Sequence, residues 1–152
     1  MTSLGSEHKS KRIQKTCWIF DPIEFEQAKL FVEQEFTLSE RQADGRTLRE
    51  NLENAERQLK RKPKELEDLV ELPEAFQEYW QWFLRLSNHR PSGMGVSAIP
   101  YSEYVAFFQL IGVEIEPYEL EILEVFDNIA MKHYAKQQEK EQAKAKQKST
   151  KK

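Results

Sequence analysis

The chain has 152 residues, 39% of them hydrophobic and 32% charged, with a net charge of −3, which is enough for one modest domain flanked by solvated tails. Its single cysteine, Cys17, rules out an internal disulfide and suits a reducing compartment. Residues 1–15 lack the apolar run of a secretory signal, and no segment approaches the ~20 apolar residues of a membrane span, so the sequence reads as soluble, intracellular and without a membrane partner.

The charge is polarised. Residues 132–152 hold eight Lys against Glu139 and Glu141, and residues 1–15 hold Lys9, Lys11, Arg12 and Lys15 against Glu7. The middle of the chain is therefore strongly acidic, and Tyr101 to Met131 contains seven acidic residues and no Lys or Arg. An acidic body of this kind should repel nucleic acid.

In chain order, residues 1–15 show no apolar periodicity and read as a disordered basic tail. Trp18, Ile19 and Phe20 form a short extended piece expected to dock on the core. Asp21-Pro22-Ile23-Glu24 starts a helix, with Asp as N-cap and Pro in the first turn. That helix is expected to reach about Phe36, with Phe25, Ala28, Val32 and Phe36 on one face. Ile23 and Leu30 lie off that face and suggest cover on a second side. Ser39 is a candidate cap for the next helix. From Thr47 to Lys62, Leu48, Leu52, Ala55 and Leu59 make a thin stripe on a charged helix, the pattern of an arm or hairpin partner.

Pro63 opens a short helix, and Pro73 opens one rich in aromatics. Around the wheel, Phe76, Tyr79, Trp80, Trp82, Phe83, Leu84 and Leu86 span roughly 200°, about twice the arc one core face uses. Such a helix is either buried on two sides or has an exposed edge, Trp82 with Leu86 or Trp80 with Leu84, left for a partner. A loop containing Pro91, Gly93 and Gly95 runs from Asn88 to Ile99, and Pro100 can occupy the first turn of the helix after it. That helix reaches about Ile111, with Tyr104, Phe107, Phe108 and Ile111 facing the core and Gly112 as its C-cap. Glu116-Pro117 opens the last helix, which passes into a Lys/Gln/Ala/Glu tract of high helix propensity.

The expected fold is all-α, a small helical domain of about five to six helices with a charged middle helix and disordered or frayed basic tails. The expected organisation is a tail at 1–15, a single helical domain at 16–134 and a Lys-rich tail at 135–152. Within the domain, 37–72 forms the charged arm and 73–134 the core helices.

No catalytic, cofactor-binding or metal-binding residue is nominated. One Cys and three scattered His do not make a usual zinc set. His89 has no nucleophile or orienting carboxylate assigned to it. Gly93-Met94-Gly95 lacks phosphate-loop spacing and a preceding strand. The Lys-rich tail has no Arg and no aromatic beyond Tyr134, so it lacks the groups that read or stack on bases.

Between residues 76 and 131 the order of features is distinctive. An aromatic helix with Trp80 and Phe83 leads to Leu86-Ser87, then to Arg90, Gly93 and Gly95. Ile99-Pro100 and Glu103 open a helix that Leu110-Ile111-Gly112-Val113-Glu114 closes, and a helix containing Asp127 and Tyr134 follows. This stretch resembles the tail assembly chaperones of long-tailed bacteriophages. The resemblance implies a non-catalytic scaffold that binds the tape measure protein, keeps it soluble and brings tail tube subunits to it. It also implies work in the host cell cytoplasm, absence from the finished virion, no cofactor, and room for a homo-oligomer. On that basis Trp80, Trp82, Leu86, Arg90, Gly93, Met94 and Gly95 are the candidate partner-binding residues, with an ion pair between Arg90 and an acidic group on the loop or last helix as the structural alternative for Arg90. The competing reading is a small helical regulatory or nucleic-acid-associated protein acting through its basic tails. An enzyme has no motif behind it.

Overall fold

A computed structural model describes residues 20–90, 92–93 and 95–149. The expectations for residues 1–15, for Trp18 and Ile19, and for Met94 lie outside the described residues. The described part is all-α: α1 (Pro22–Leu38), α2 (Leu48–Leu59), α3 (Lys64–Glu67), a 3-10 turn at Glu74–Phe76 leading into α4 (Gln77–Ser87), α5 (Tyr101–Ile111) and α6 (Pro117–Ser149). One short feature departs from pure helix. Ser92–Gly93 pairs antiparallel with Gly95–Val96 as a two-residue hairpin.

Local chemistry explains where the helices start and stop. Asp21 caps α1 by accepting from the Ile23 amide at 2.9 Å, and Pro22 supplies the first helical residue, where a missing N–H costs nothing. Ser39 does not start the second helix; it ends the first, its N–H donating to Glu35 O at 3.1 Å. A turn through Asp44-Gly45, with Gly45 at φ +81°, separates the two helices. Thr47 is the actual cap of α2, in a reciprocal capping box with Glu50. Hydrogen bonds from the Thr47 backbone and side chain hold the Glu50 carboxyl below its ordinary pKa.

The core is aromatic. α4 lies at its centre, with Tyr79, Trp82, Phe83 and Leu86 all buried, as is Phe76 in the turn before it. α1 lies on one side, where Phe31 meets Trp80 edge-on and Phe36 meets Phe83. α6 adds Phe126 against both Trp80 and Phe83. Phe20 docks on Phe76 with ring centroids 4.8 Å apart and also reaches Tyr118 at the start of α6. On α1 Ala28, Val32 and Leu38 are buried, but Ile23 is 75% and Leu30 43% exposed, so among the described residues nothing supplies the expected second covered side.

α2 contributes no buried residue. It is tied back to α1 by Arg49, whose Nη2 lies 2.5 Å from Glu35 Oε1. α6 has 33 residues, or about 50 Å at 1.5 Å per residue, and runs unbroken across the boundary expected at residue 134. Its first half buries Ile122, Leu123, Phe126 and Ala130. From Glu139 to Lys148 every residue is exposed, and the helix projects as a solvated rod.

Candidate functional site

The expected exposed edge of α4 is largely covered by the chain itself. Trp82 is 8% exposed and packs edge-on against Phe108 of α5 at 5.1 Å, and Leu86 is 2% exposed. These two nominated partner contacts therefore sit in the core, because α5 folds back over that edge. The opposite edge is more open. Trp80 is half-buried, stacked on Phe83 at 5.6 Å, and Leu84 is 39% exposed. The wide arc of α4 is explained mainly by burial on two sides.

Arg90 is the hub of the loop that follows. Its Nη2 forms an ion pair with Asp127 Oδ1 on α6, and the two side chains are only 9% and 7% exposed. Nε donates to Ser87 Oγ at 3.2 Å and Nη1 to the Ser97 carbonyl at 3.1 Å. The other carboxylate oxygen of Asp127 accepts from the Ile99 amide at 3.0 Å. The guanidinium also lies 6.0 Å from the Phe83 ring and 5.8 Å from that of Tyr134. Thus one buried charge pair fastens the end of α4, both sides of the loop and the middle of α6. Arg90 matches the expected pairing with the last helix.

Gly93 and Gly95 face one another across the two-residue hairpin. Gly95 has φ +149°, and a Cβ there would come within 3.4 Å of Gln138 Nε2. The glycine therefore suits the backbone conformation, while the added Cβ would make only ordinary contact with the Gln138 amide of α6.

A different surface is open and apolar. A groove of about 480 Å3 runs between the outer face of α5 and the start of α6, lined chiefly by Tyr101, Tyr104, Val105, Phe108, Ile115 and Leu120. It exists because of how α5 ends. Gly112, at φ +67°, allows its own N–H to donate to Gln109 O at 3.3 Å and that of Val113 to Phe108 O at 3.1 Å, a Schellman closure that turns the chain back beneath the helix. Tyr101 is 64% and Val105 65% exposed. At one rim the Tyr101 hydroxyl donates to Glu124 at 2.5 Å. A larger cleft of about 780 Å3 between α1 and α6 mixes the apolar Leu30, Val70, Val125 and Ile129 with charged groups such as Glu26, Lys29, Glu33 and Lys132.

The titratable groups near these features favour neutrality. Burial, then the charge of Asp127, pushes the Tyr104 phenol well above its ordinary pKa. Burial and Glu119, to which its hydroxyl donates at 3.1 Å, do the same for Tyr79. His133 is held below its ordinary value by burial, against the pull of Glu40. Among the described residues no group of three or more His, Cys, Asp or Glu is placed to hold a metal ion. No described helix is long and apolar enough to cross a membrane.

A family model described as phage tail assembly chaperone matches residues 55–132. The chain belongs to the phage tail assembly chaperone family. The match begins within α2 and ends in α6, so it takes in the Arg90–Asp127 hub and the whole apolar groove. It also reaches further toward the N-terminus than the resemblance at 76–131, covering the end of the charged arm and α3. No curated protein and no solved structure matches the chain. Family membership gives this chaperone a role in phage tail assembly and implies interaction with tail proteins.

Sequence reasoning passed over the groove of this chaperone. The available signal was on α5: Tyr101, Val105 and Leu110 are apolar in addition to the Tyr104, Phe107, Phe108 and Ile111 assigned to the core. Leu110 is 87% exposed on the far side of the helix. A wheel drawn for α5 as well as for α4 would have shown the excess.

Proposed function

We propose that this chaperone binds the tape measure protein and brings tail tube subunits to it, acting without catalysis in the host cell cytoplasm and leaving before the virion is complete. The observation that carries this reading is an open apolar groove inside the family-matched segment, on an acidic body. A tape measure protein is long and helical and exposes apolar stripes before it is sheathed. A protein that keeps such stripes soluble must offer apolar surface in hydrophilic, charged surroundings.

The test is co-purification of the full chain with a helical fragment of the tape measure protein encoded beside it, and separately with the tube protein. Capture of both, with no shift of DNA in a gel at low salt, is the expected result. Failure to capture either one sinks the reading. The exposed Lys residues of the α6 rod favour the nucleic-acid alternative. It predicts DNA binding that falls steeply with salt and disappears when residues 132–152 are removed.

A further inference from the structure

We infer that the groove between α5 and α6 receives one amphipathic helix whose apolar stripe is flanked by Lys or Arg. This deepens the tape measure reading and rests on it only for the biological source of the helix. The chemistry of the occupant follows from the floor and the rim. Val105 and Phe108, three residues apart on α5, face Ile115 and Leu120 across the groove and present aliphatic and ring carbon. This floor would seat side chains at i, i+3, i+4 and i+7 of an incoming helix. α5 has 11 residues, about 16 Å, so it can lie alongside about three turns of a partner.

The rim is of one sign. Glu124 lies four residues after Leu120 on α6, so helical spacing puts its carboxylate along the same face, and Glu116 caps the start of that helix, its carbonyl accepting from the Leu120 amide at 3.3 Å. Glu114 lies between Val113 and Ile115 in the connection that closes the groove, and it is exposed. Glu124 stands at the mouth, held by Tyr101. Residues 101–131 themselves hold no Lys or Arg. An acidic helix placed here would meet the like charge of these carboxylates, whereas a helix with flanking Lys or Arg would bury its stripe and pair with the rim. The Lys-rich rod of a second copy fits poorly, because its only apolar side chains between Ala135 and Lys148 are alanines.

The probe is a labelled 18-residue helical peptide with Leu at heptad a and d positions and Lys beside them. Its counterpart carries Glu in place of Lys. Binding to the full chain is read by fluorescence anisotropy at two salt concentrations. The Lys peptide should bind at least tenfold more tightly than the Glu peptide, and the difference should narrow with salt. Val105→Glu should weaken the Lys peptide at least tenfold, while Ile23→Glu, at a position on α1 that is also well exposed, should leave it unchanged. Circular dichroism serves to show that both variants keep their helicity. Equal binding of the two peptides, or full binding by Val105→Glu, overturns the inference. So does sedimentation of the wild type as a dimer that Val105→Glu converts to monomer, which would assign the groove to a second copy. If the wild type and Val105→Glu capture the tape measure fragment equally well, the groove assignment fails and the tape measure reading survives. If the Lys peptide binds as expected and no tape measure fragment is captured, the reverse holds.

Discussion

α4 and α5 both carry more apolar surface than a single core face needs, and the structure treats them oppositely. On α4 the surplus is covered from within: Trp82 meets Phe108, and Trp80 meets Phe31 and Phe126. On α5 only Tyr104 and Phe108 are buried, while Tyr101, Val105 and Leu110 remain open. The difference is position in the stack. α4 has α1, α6 and α5 around it, whereas α5 is an outer layer with no described element folded beyond it. A wide apolar arc therefore says how much cover a helix needs, and says nothing about whether its own chain supplies it. Surface left for a partner is better sought on the outermost helix than on the most apolar one.

Substitutions on the two helices should separate these roles. Trp82→Ala should have the largest effect, about 3–5 kcal/mol of stability in urea unfolding, because it empties a packed aromatic site. Val105→Ala should stay within about 0.5 kcal/mol. Similar costs at the two positions would mean that the outer face of α5 is not free surface. Asp127→Ala should cost about 3 kcal/mol by leaving the Arg90 guanidinium buried without its partner, whereas the double change Arg90→Met with Asp127→Leu should recover most of that loss in thermal unfolding. A double variant as weak as the single one would show that the loop requires the charges themselves. The smallest effect belongs to the charged arm. Thr47→Ala removes the α2 cap and should cost about 1 kcal/mol. Hydrogen exchange should quicken in α2 and stay unchanged in α4; an equal response in both would make α2 part of the cooperative core.

Much of the fold is written in short-range chemistry and could be read directly. Asp21-Pro22, Gly112 and Pro117 each act on backbone within a few residues, so each marked a helix end where the structure has one. Ser39 misled because a serine is equally able to close the preceding helix, and Thr47 prevails through its reciprocal bonds with Glu50. The pairing of Arg90 was legible only as far as an acidic group on the loop or the last helix. Choosing Asp127 requires knowing which turn of α6 passes beneath the loop, a matter of tertiary register. The groove was least legible. Its walls come from α5, from the connection after Gly112 and from one turn of α6, and none of the three is unusual by itself. The covering of Trp82 has the same origin, since whether an aromatic edge is open depends on where a later helix lands.

The N-terminal turns of α6 carry Glu119, Glu121 and Glu124, and its distal turns carry Lys140, Lys144, Lys146 and Lys148 against Glu139 and Glu141, so one continuous helix about 50 Å long ends in net charge of opposite sign. Both sets of side chains oppose the helix's own macrodipole, which favours the helix. At a Debye length of about 8 Å the two ends do not screen or cancel one another. The molecule is thus an electric rod with an attached body. A cationic surface approaching it turns toward the body end, and an anionic surface turns toward the distal end. Surfaces of opposite charge would thus be steered to opposite ends of the molecule with no change in its shape.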